Sequence, residues 1–308
     1  MSASTDRILI TGATSQIGVF LAPLLADAGF EVHAMSRTSE SVRRLSHRRR
    51  TLGLPSPETF HIGDFAEPPD LDFPVQGLIH CAGIWDLPGL LEATLGRNLL
   101  RVVAFSSTSV EAKSDSGSRA EQRTVEKLRD GESVARAVCS RRRIALTILR
   151  PTMIYGCGMD RNVVAIARLV QRFHFFPSFG GGRGLRQPVH AADLALAAVK
   201  ALSMPVSLDR TYNLSGESIS YRDMVTEIFR VLEMKPRFLN IPVSLVRTLA
   251  AAVHALGFAL SPDMIDRVNR DLVFDSSDAR KDLDFKPRPF QPSRFELGVG
   301  NHLSAYPR

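Results

Sequence analysis

The chain has 308 residues, 44% of them hydrophobic, three cysteines and a formal net charge of +7. That length and apolar content support a sizeable core, either one large α/β domain or a nucleotide-binding domain with a smaller one attached. Cys81, Cys139 and Cys157 lack metal-ligand spacing, so no metal site is expected, and an odd few thiols fit a reducing cytoplasm.

The stretch Arg7 to Gly18, RILITGATSQIG, organises the reading. Ile8 to Ile10 form a short buried strand, Thr11 and Gly12 turn the chain, and Gln16 to Ala26 has helical spacing. A strand, glycine turn and helix start in this order suit a dinucleotide pyrophosphate: Gly12 allows the tight turn and Gly18 lets helix pack on strand. The free amides of the helix N-terminus would meet the anion. Ser15 stands where the middle glycine is usual. The strand begins within seven residues, which is read as leaving no room for a signal peptide.

Glu31 to Met35 reads as a second strand, ending at Ser36 and Arg37 rather than at a carboxylate. A carboxylate there would bind the 2′-hydroxyl of NAD, whereas a guanidinium suits the 2′-phosphate of NADP, so NADP is favoured over NAD. Arg43, Arg44, Arg48, Arg49 and Arg50 with His47, and Arg141 to Arg143, form two basic runs. No nucleic-acid motif or aromatic platform accompanies them, so they read as solvated surface. Thr59 to Ile62, Leu78 to Cys81 and Arg101 to Phe105 read as the third, fourth and fifth strands. A helix follows each, which predicts a parallel sheet with ligands beyond its carboxyl ends.

These segments, taken with LRPTMIYGCG from Leu149, QPVHAADLA from Gln187, YNLSGE from Tyr212 and DSSDARKDLDFKPRPF from Asp275, carry a resemblance. The chain resembles the extended or atypical branch of the short-chain dehydrogenase/reductase superfamily, the NAD-dependent epimerase/dehydratase family. The resemblance implies a Rossmann-type α/β fold, a doubly wound parallel sheet with a smaller C-terminal substrate domain. Residues 1–150, plus a return strand near 210–214, would form the nucleotide part, and residues 151–308 the interleaved substrate part. Cofactor contacts would fall on Thr11, Gly12, Thr14, Ser15, Gln16, Ile17, Gly18, Arg37, Asp64, Phe65, Cys81, Ala82, Gly83, Ser106, Ser107 and Pro151.

The superfamily's usual chemistry uses a tyrosine, a lysine four residues later on the same helix face, and a serine or threonine. Thr108 in FSSTS matches the hydroxyl, and Lys127 matches the lysine, on a helix starting near Arg119 that buries Leu128, Gly131, Ala135 and Val138. Arg123 stands where the tyrosine is expected, and no tyrosine occurs before Tyr155. An arginine stays protonated near neutral pH and cannot replace a phenol. Tyr155 is therefore the candidate phenol, with Asp86 and Glu111 as carboxylates placed to supply an acid or base. His190 and Asp193 read as structural, Asp193 as a cap or anchor.

The glycine loop Gly180 to Gly184, with Arg183 or Arg186, sits where relatives bind a diphosphate or sugar; Asp86 and Ser109 complete the substrate set. Val243 to Leu260 is strongly apolar but contains Arg247, so it reads as a pocket or core helix, with peripheral membrane contact open. The resemblance also implies a possible homodimer through a helix such as Arg119 to Cys139. Three readings follow. The first is an NADP-dependent oxidoreductase, epimerase or dehydratase acting on a nucleotide sugar or similar small molecule. The second is a dinucleotide-binding redox sensor or accessory protein without turnover. The third is a membrane-peripheral protein handling lipid-linked substrates.

Overall fold

The computed structural model describes residues 6–65, 68–69, 71–93, 98–112, 119–241 and 269–299. In chain order they form β1 (Arg7–Thr11), α1 (Gly18–Asp27), β2 (Glu31–Ser36), α2 (Ser39–Thr51), β3 (Thr59–Ile62), β4 (Gly77–His80), α3 (Leu87–Ala93), β5 (Arg101–Phe105), α4 (Ser109–Ala112), α5 (Arg119–Arg142) and β6 (Ala145–Pro151). Then come β7 (Met153–Tyr155), α6 (Val163–Phe173), β8 (Phe176–Phe179), β9 (Leu185–Arg186), β10 (Pro188–His190), α7 (Ala191–Ser203), β11 (Thr211–Leu214), β12 (Ile219–Ser220), α8 (Tyr221–Val231), β13 (Phe238–Ile241) and a short helix, Ser277–Leu283.

Seven strands form one sheet in the order β11-β6-β5-β4-β1-β2-β3, and every pairing is parallel. The order turns back between β1 and β4, which opens a crevice at their carboxyl ends. Both faces of the sheet are covered, so its strands are apolar throughout rather than alternating with polar residues. In β1, Ile8 and Ile10 join residues of α1 and α7 in one core, while Leu9 joins residues of α3 and α5 in the other. The fold is the expected Rossmann-type α/β sheet. Two boundaries shift: β4 ends at His80 and α1 begins at Gly18, because Cys81 and Gln16 already belong to the turns.

One correction concerns the basic run in α2. Pro23 lies inside α1 and has no amide to give the Val19 carbonyl four residues earlier. Arg49 fills the gap: its Nε donates to Val19 O at 2.8 Å and its Nη2 to Gly18 O at 3.0 Å. The Arg49 side chain is fully buried and ion-paired with the equally buried Glu58. Arg49 is thus an internal strut, while Arg43 and Arg44 stay exposed on α2 and pair with Glu40.

A third core gathers Tyr155, residues of α6 and α8, and Phe290 and Leu297 from near the end of the described chain. That last segment is strapped down. The Arg288 backbone amide donates to Asp193 Oδ2 at 2.9 Å and its guanidinium to Oδ1 at 2.7 Å. His190 Nε2 meets Glu296 Oε1 at 2.6 Å. No helix among the described residues is long and apolar enough to cross a membrane. The apolar stretch Val243 to Leu260 lies outside the described residues.

Candidate functional site

The crevice begins at the β1 and β4 turns, which are built against each other. Gly12 has φ +72°, and a Cβ there would sit 2.7 Å from the Cys81 carbonyl carbon and 2.8 Å from the Ala82 nitrogen. A Cβ on Gly18 would sit 2.4 Å from Ala13 O, so only glycine lets α1 close on the turn. Ser15 tightens the same turn: its amide donates to Gly12 O at 2.9 Å, and its Oγ accepts from Gly18 N at 3.1 Å. Its hydroxyl therefore caps backbone in this arrangement.

His80 locks the two turns together. Its Nε2 lies 2.9 Å from Gly83 O, which can only accept, so Nε2 carries the proton. Nδ1 is then the acceptor for the Thr11 hydroxyl at 2.7 Å. Burial lowers the His80 pKa to about 4, which keeps this tautomer neutral. Thr11 is fully buried with its hydroxyl spent on His80, which corrects the expectation that it touches cofactor. Burial also pushes the Cys81 thiol up, so it stays protonated. Cys81, Ala82 and Gly83 remain half-open along the crevice. The amide oxygen of Gln16 is buried with no protein donor. An orphaned acceptor beside a closed glycine turn fits a dinucleotide that brings its own donors.

At the adenosine side, Arg37 is exposed at the exit of β2 and Asp64 is exposed after β3. Both act on Asp86, as does Lys127: burial raises the Asp86 pKa, Arg37 and Lys127 oppose it, and Asp64 adds to it. Phe65 packs its ring 5.6 Å from that of His80. Lys127 is exposed on α5, its ammonium 5.9 Å from the centroid of the Trp85 ring. Arg123 is exposed one turn earlier on the same helix.

The β5 exit is held by β6. Ser106 N donates to Leu149 O at 2.8 Å, and Thr108 donates to Pro151 O from both its amide and its hydroxyl, at 3.2 and 3.1 Å. Thr108 is 5% exposed, so its hydroxyl proton is engaged and only its lone pairs remain. Ser107 and Ser109 are half-buried and bonded to one another at 3.0 Å. Behind them lies a charged cluster that the sequence did not reveal. Glu132, on α5 and 5% exposed, accepts from Ser106 Oγ at 2.5 Å and from Arg150 at 2.5 and 2.9 Å, and Arg150 also pairs with Glu111 at 2.9 Å.

Residues 8–89 match the model described as the NAD dependent epimerase/dehydratase family. That stretch is similar to the family. A UDP-glucose 4-epimerase of Vibrio cholerae is 26% identical over 143 residues, 46% of this chain and 42% of its own. A mitochondrial NADH dehydrogenase [ubiquinone] 1 alpha subcomplex subunit 9 of Arabidopsis thaliana is 31% identical over 154 residues, 46% of this chain and 38% of its own. The chain thus spans less than half the length of these curated relatives. Among solved structures, UDP-glucuronic acid 4-epimerase from Bacillus cereus, in complex with UDP-glucuronic acid and NAD, aligns with TM-score 0.67 at 17% identity. That alignment covers 95% of this chain and 97% of the other. It shows a shared fold.

Against the epimerase/dehydratase pattern, two expected site residues move into the interior. Tyr155 is 1% exposed; its hydroxyl donates to Pro289 O at 3.3 Å, and its ring meets His190 and Phe290 edge-on. Burial, with Glu296 adding, pushes its phenol up, and its ring packs in the third core. Arg186 is 5% exposed; its guanidinium donates to Leu185 O at 2.7 Å and Arg270 O at 2.9 Å and lies over Tyr221. It ties β9 to the Arg270 backbone. Arg183 is exposed beside it. Pro151 is buried in β6, where its carbonyl receives Thr108. Thr14 is half-buried in the β1 turn, and Ile17 is buried where α1 starts.

Proposed function

We propose that this protein is an NAD(P)-dependent oxidoreductase of the epimerase/dehydratase type, with NADP as the preferred dinucleotide and a nucleotide sugar or similar small molecule as substrate. The observation carrying it is the closed β1–β4 turn pair with Lys127 farther along the same strand edge. The bound dinucleotide would supply the hydride acceptor and donor. The Gly12 to Gly18 turn would hold its pyrophosphate, the Gln16 amide oxygen would accept from a ribose hydroxyl, Arg37 would meet its 2′-phosphate, and Lys127 its second ribose.

The chain's own residues must still move the proton. Among the described residues Tyr155 is closed in the core, and Tyr212 is buried with its hydroxyl on Asp282. Asp86 is the half-buried carboxyl in this crevice, within electrostatic reach of Lys127 and with its pKa raised chiefly by burial. As a carboxylate it would accept the hydroxyl proton released when a substrate alcohol is oxidised, leaving the Thr108 lone pairs to receive a different donor group of the substrate. Ser109 and Arg183 would orient the rest of the substrate. Because the raised pKa favours the protonated form, turnover falls as pH drops through it. Asp86→Asn should cost about 100-fold in kcat and remove that acid limb from the pH profile. An unchanged profile would exclude Asp86.

A second reading is favoured by Arg123 in place of a phenol and by the 31% identity to a subunit named for NADH dehydrogenase. It makes the chain a dinucleotide-binding sensor or accessory protein without turnover. Calorimetric titration with NADP+, NADPH, NAD+ and NADH separates the two. Binding of both phosphorylated forms, followed by turnover of a nucleotide sugar, supports the enzyme. A strong preference for one redox state without turnover supports the sensor, since only unequal affinities shift an equilibrium.

A further inference from the structure

Trp85, the sole tryptophan of the chain, follows the β4 turn and sits between Gly83 and Gly131 of α5. On one side it rests against Gly83, where a Cβ would fall 2.3 and 2.4 Å from two atoms of the indole. The Gly83 backbone has φ −62°, which any residue adopts, so it is the indole that excludes a side chain there. On the other side is the Lys127 ammonium, 5.9 Å from the ring centroid. Its backbone is seated by Gly131 of α5, where a Cβ would come within 2.8 Å of Trp85 N. The side chain is nonetheless 44% exposed, an unusual position for a large aromatic ring held on two sides.

A ligand spanning from the Gly12 turn past Cys81 to Gly83 toward Lys127 crosses this indole. We propose that Trp85 is a dinucleotide-contact residue, the aromatic wall on which the nicotinamide riboside packs. The Lys127 ammonium rests on its face until the ribose hydroxyls take it over. Indole faces attract cations and stack on flat heterocycles, so one ring serves both states. This inference rests on the proposed dinucleotide site, and calorimetry tests that site without reference to Trp85.

All tryptophan emission comes from this residue. Saturating wild-type protein with NADP+ should shield it from acrylamide quenching, with a midpoint matching the calorimetric Kd. Trp85→Ala should weaken binding about 10-fold, as expected for loss of one stacking face, and Trp85→Phe should restore affinity to within about two-fold. If calorimetry shows binding while quenching and the alanine variant's affinity stay unchanged, the role of Trp85 is overturned and the dinucleotide site stands. If wild-type protein binds none of the four dinucleotides, the site itself falls. The quenching arm needs no variant, so a poorly folded substitution does not decide the outcome.

Discussion

The two ends of the crevice are built on opposite principles. At the β1–β4 end, backbone meets backbone: Gly12 against Cys81 and Ala82, Gly18 against Ala13, and the neutral His80 bridging the Thr11 hydroxyl and the Gly83 carbonyl. At the β5–α5 end, side-chain charge holds the turn, through Glu132, Arg150, Glu111 and Ser106. The first end leaves no room for added side chains and tolerates little change. The second is a frame of long side chains, Glu132, Arg150 and Glu111, to which the exposed Arg123 adds no part.

The sharpest way to break this comparison is at the strut beneath the first end. Arg49→Met leaves Glu58 buried and unpaired and the Val19 carbonyl without a donor, at an expected cost of about 3–5 kcal/mol in urea denaturation. Replacing both members, as Arg49→Met with Glu58→Leu, should recover much of it. A loss below 1 kcal/mol would show that the site admits water or relaxes.

The next test uses pH. The His80 pKa is lowered to about 4 by burial, so the folded state favours the neutral ring. Its contribution is full above the unfolded histidine pKa of about 6.5 and is lost as pH falls from there toward about 4, on the order of 3 kcal/mol. Wild-type protein should therefore lose stability across that window. His80→Asn should be less stable at pH 7 and flatter below it, because no group there remains to titrate.

The smallest effect is expected at the other end. Thr108→Val removes one buried hydrogen bond to Pro151 O and should cost about 1 kcal/mol while leaving dinucleotide affinity within two-fold. Turnover, if the Thr108 lone pairs receive substrate, should drop far more than stability does. Equal turnover in both proteins would leave Thr108 a strictly structural residue.

The fold and the β1–β4 turns were legible because their signals are local. A short apolar strand, a glycine at a forced turn and a helix register each need only a few neighbouring residues. The sheet's edge strand β11 followed from YNLSGE matching in order. What escaped depended on distant partners. Arg49 looks like its basic neighbours until Pro23, far upstream, is seen to strip a carbonyl of its donor; a proline inside a helix was the available signal. Glu132 sits beside Gly131 on the apolar face of α5, but its charge makes it read as solvent-facing unless Arg150 is known to arrive from β6. Tyr155 and Arg186 suited their proposed roles by residue type. Their burial is decided by the strap at residues 285–299 and by Arg270, neither predictable from the motifs alone.

That strap also sets a timetable. The seven-stranded sheet has all its strands once Leu214 is made, whereas the third core waits for Phe290 and Leu297. At ribosomal rates the interval is on the order of 10 s, and domains fold as units as they emerge. The nascent chain thus passes through a stage in which every strand of the sheet is made while the third core, and the Ala279, Leu283 and Phe285 side of the first, still wait.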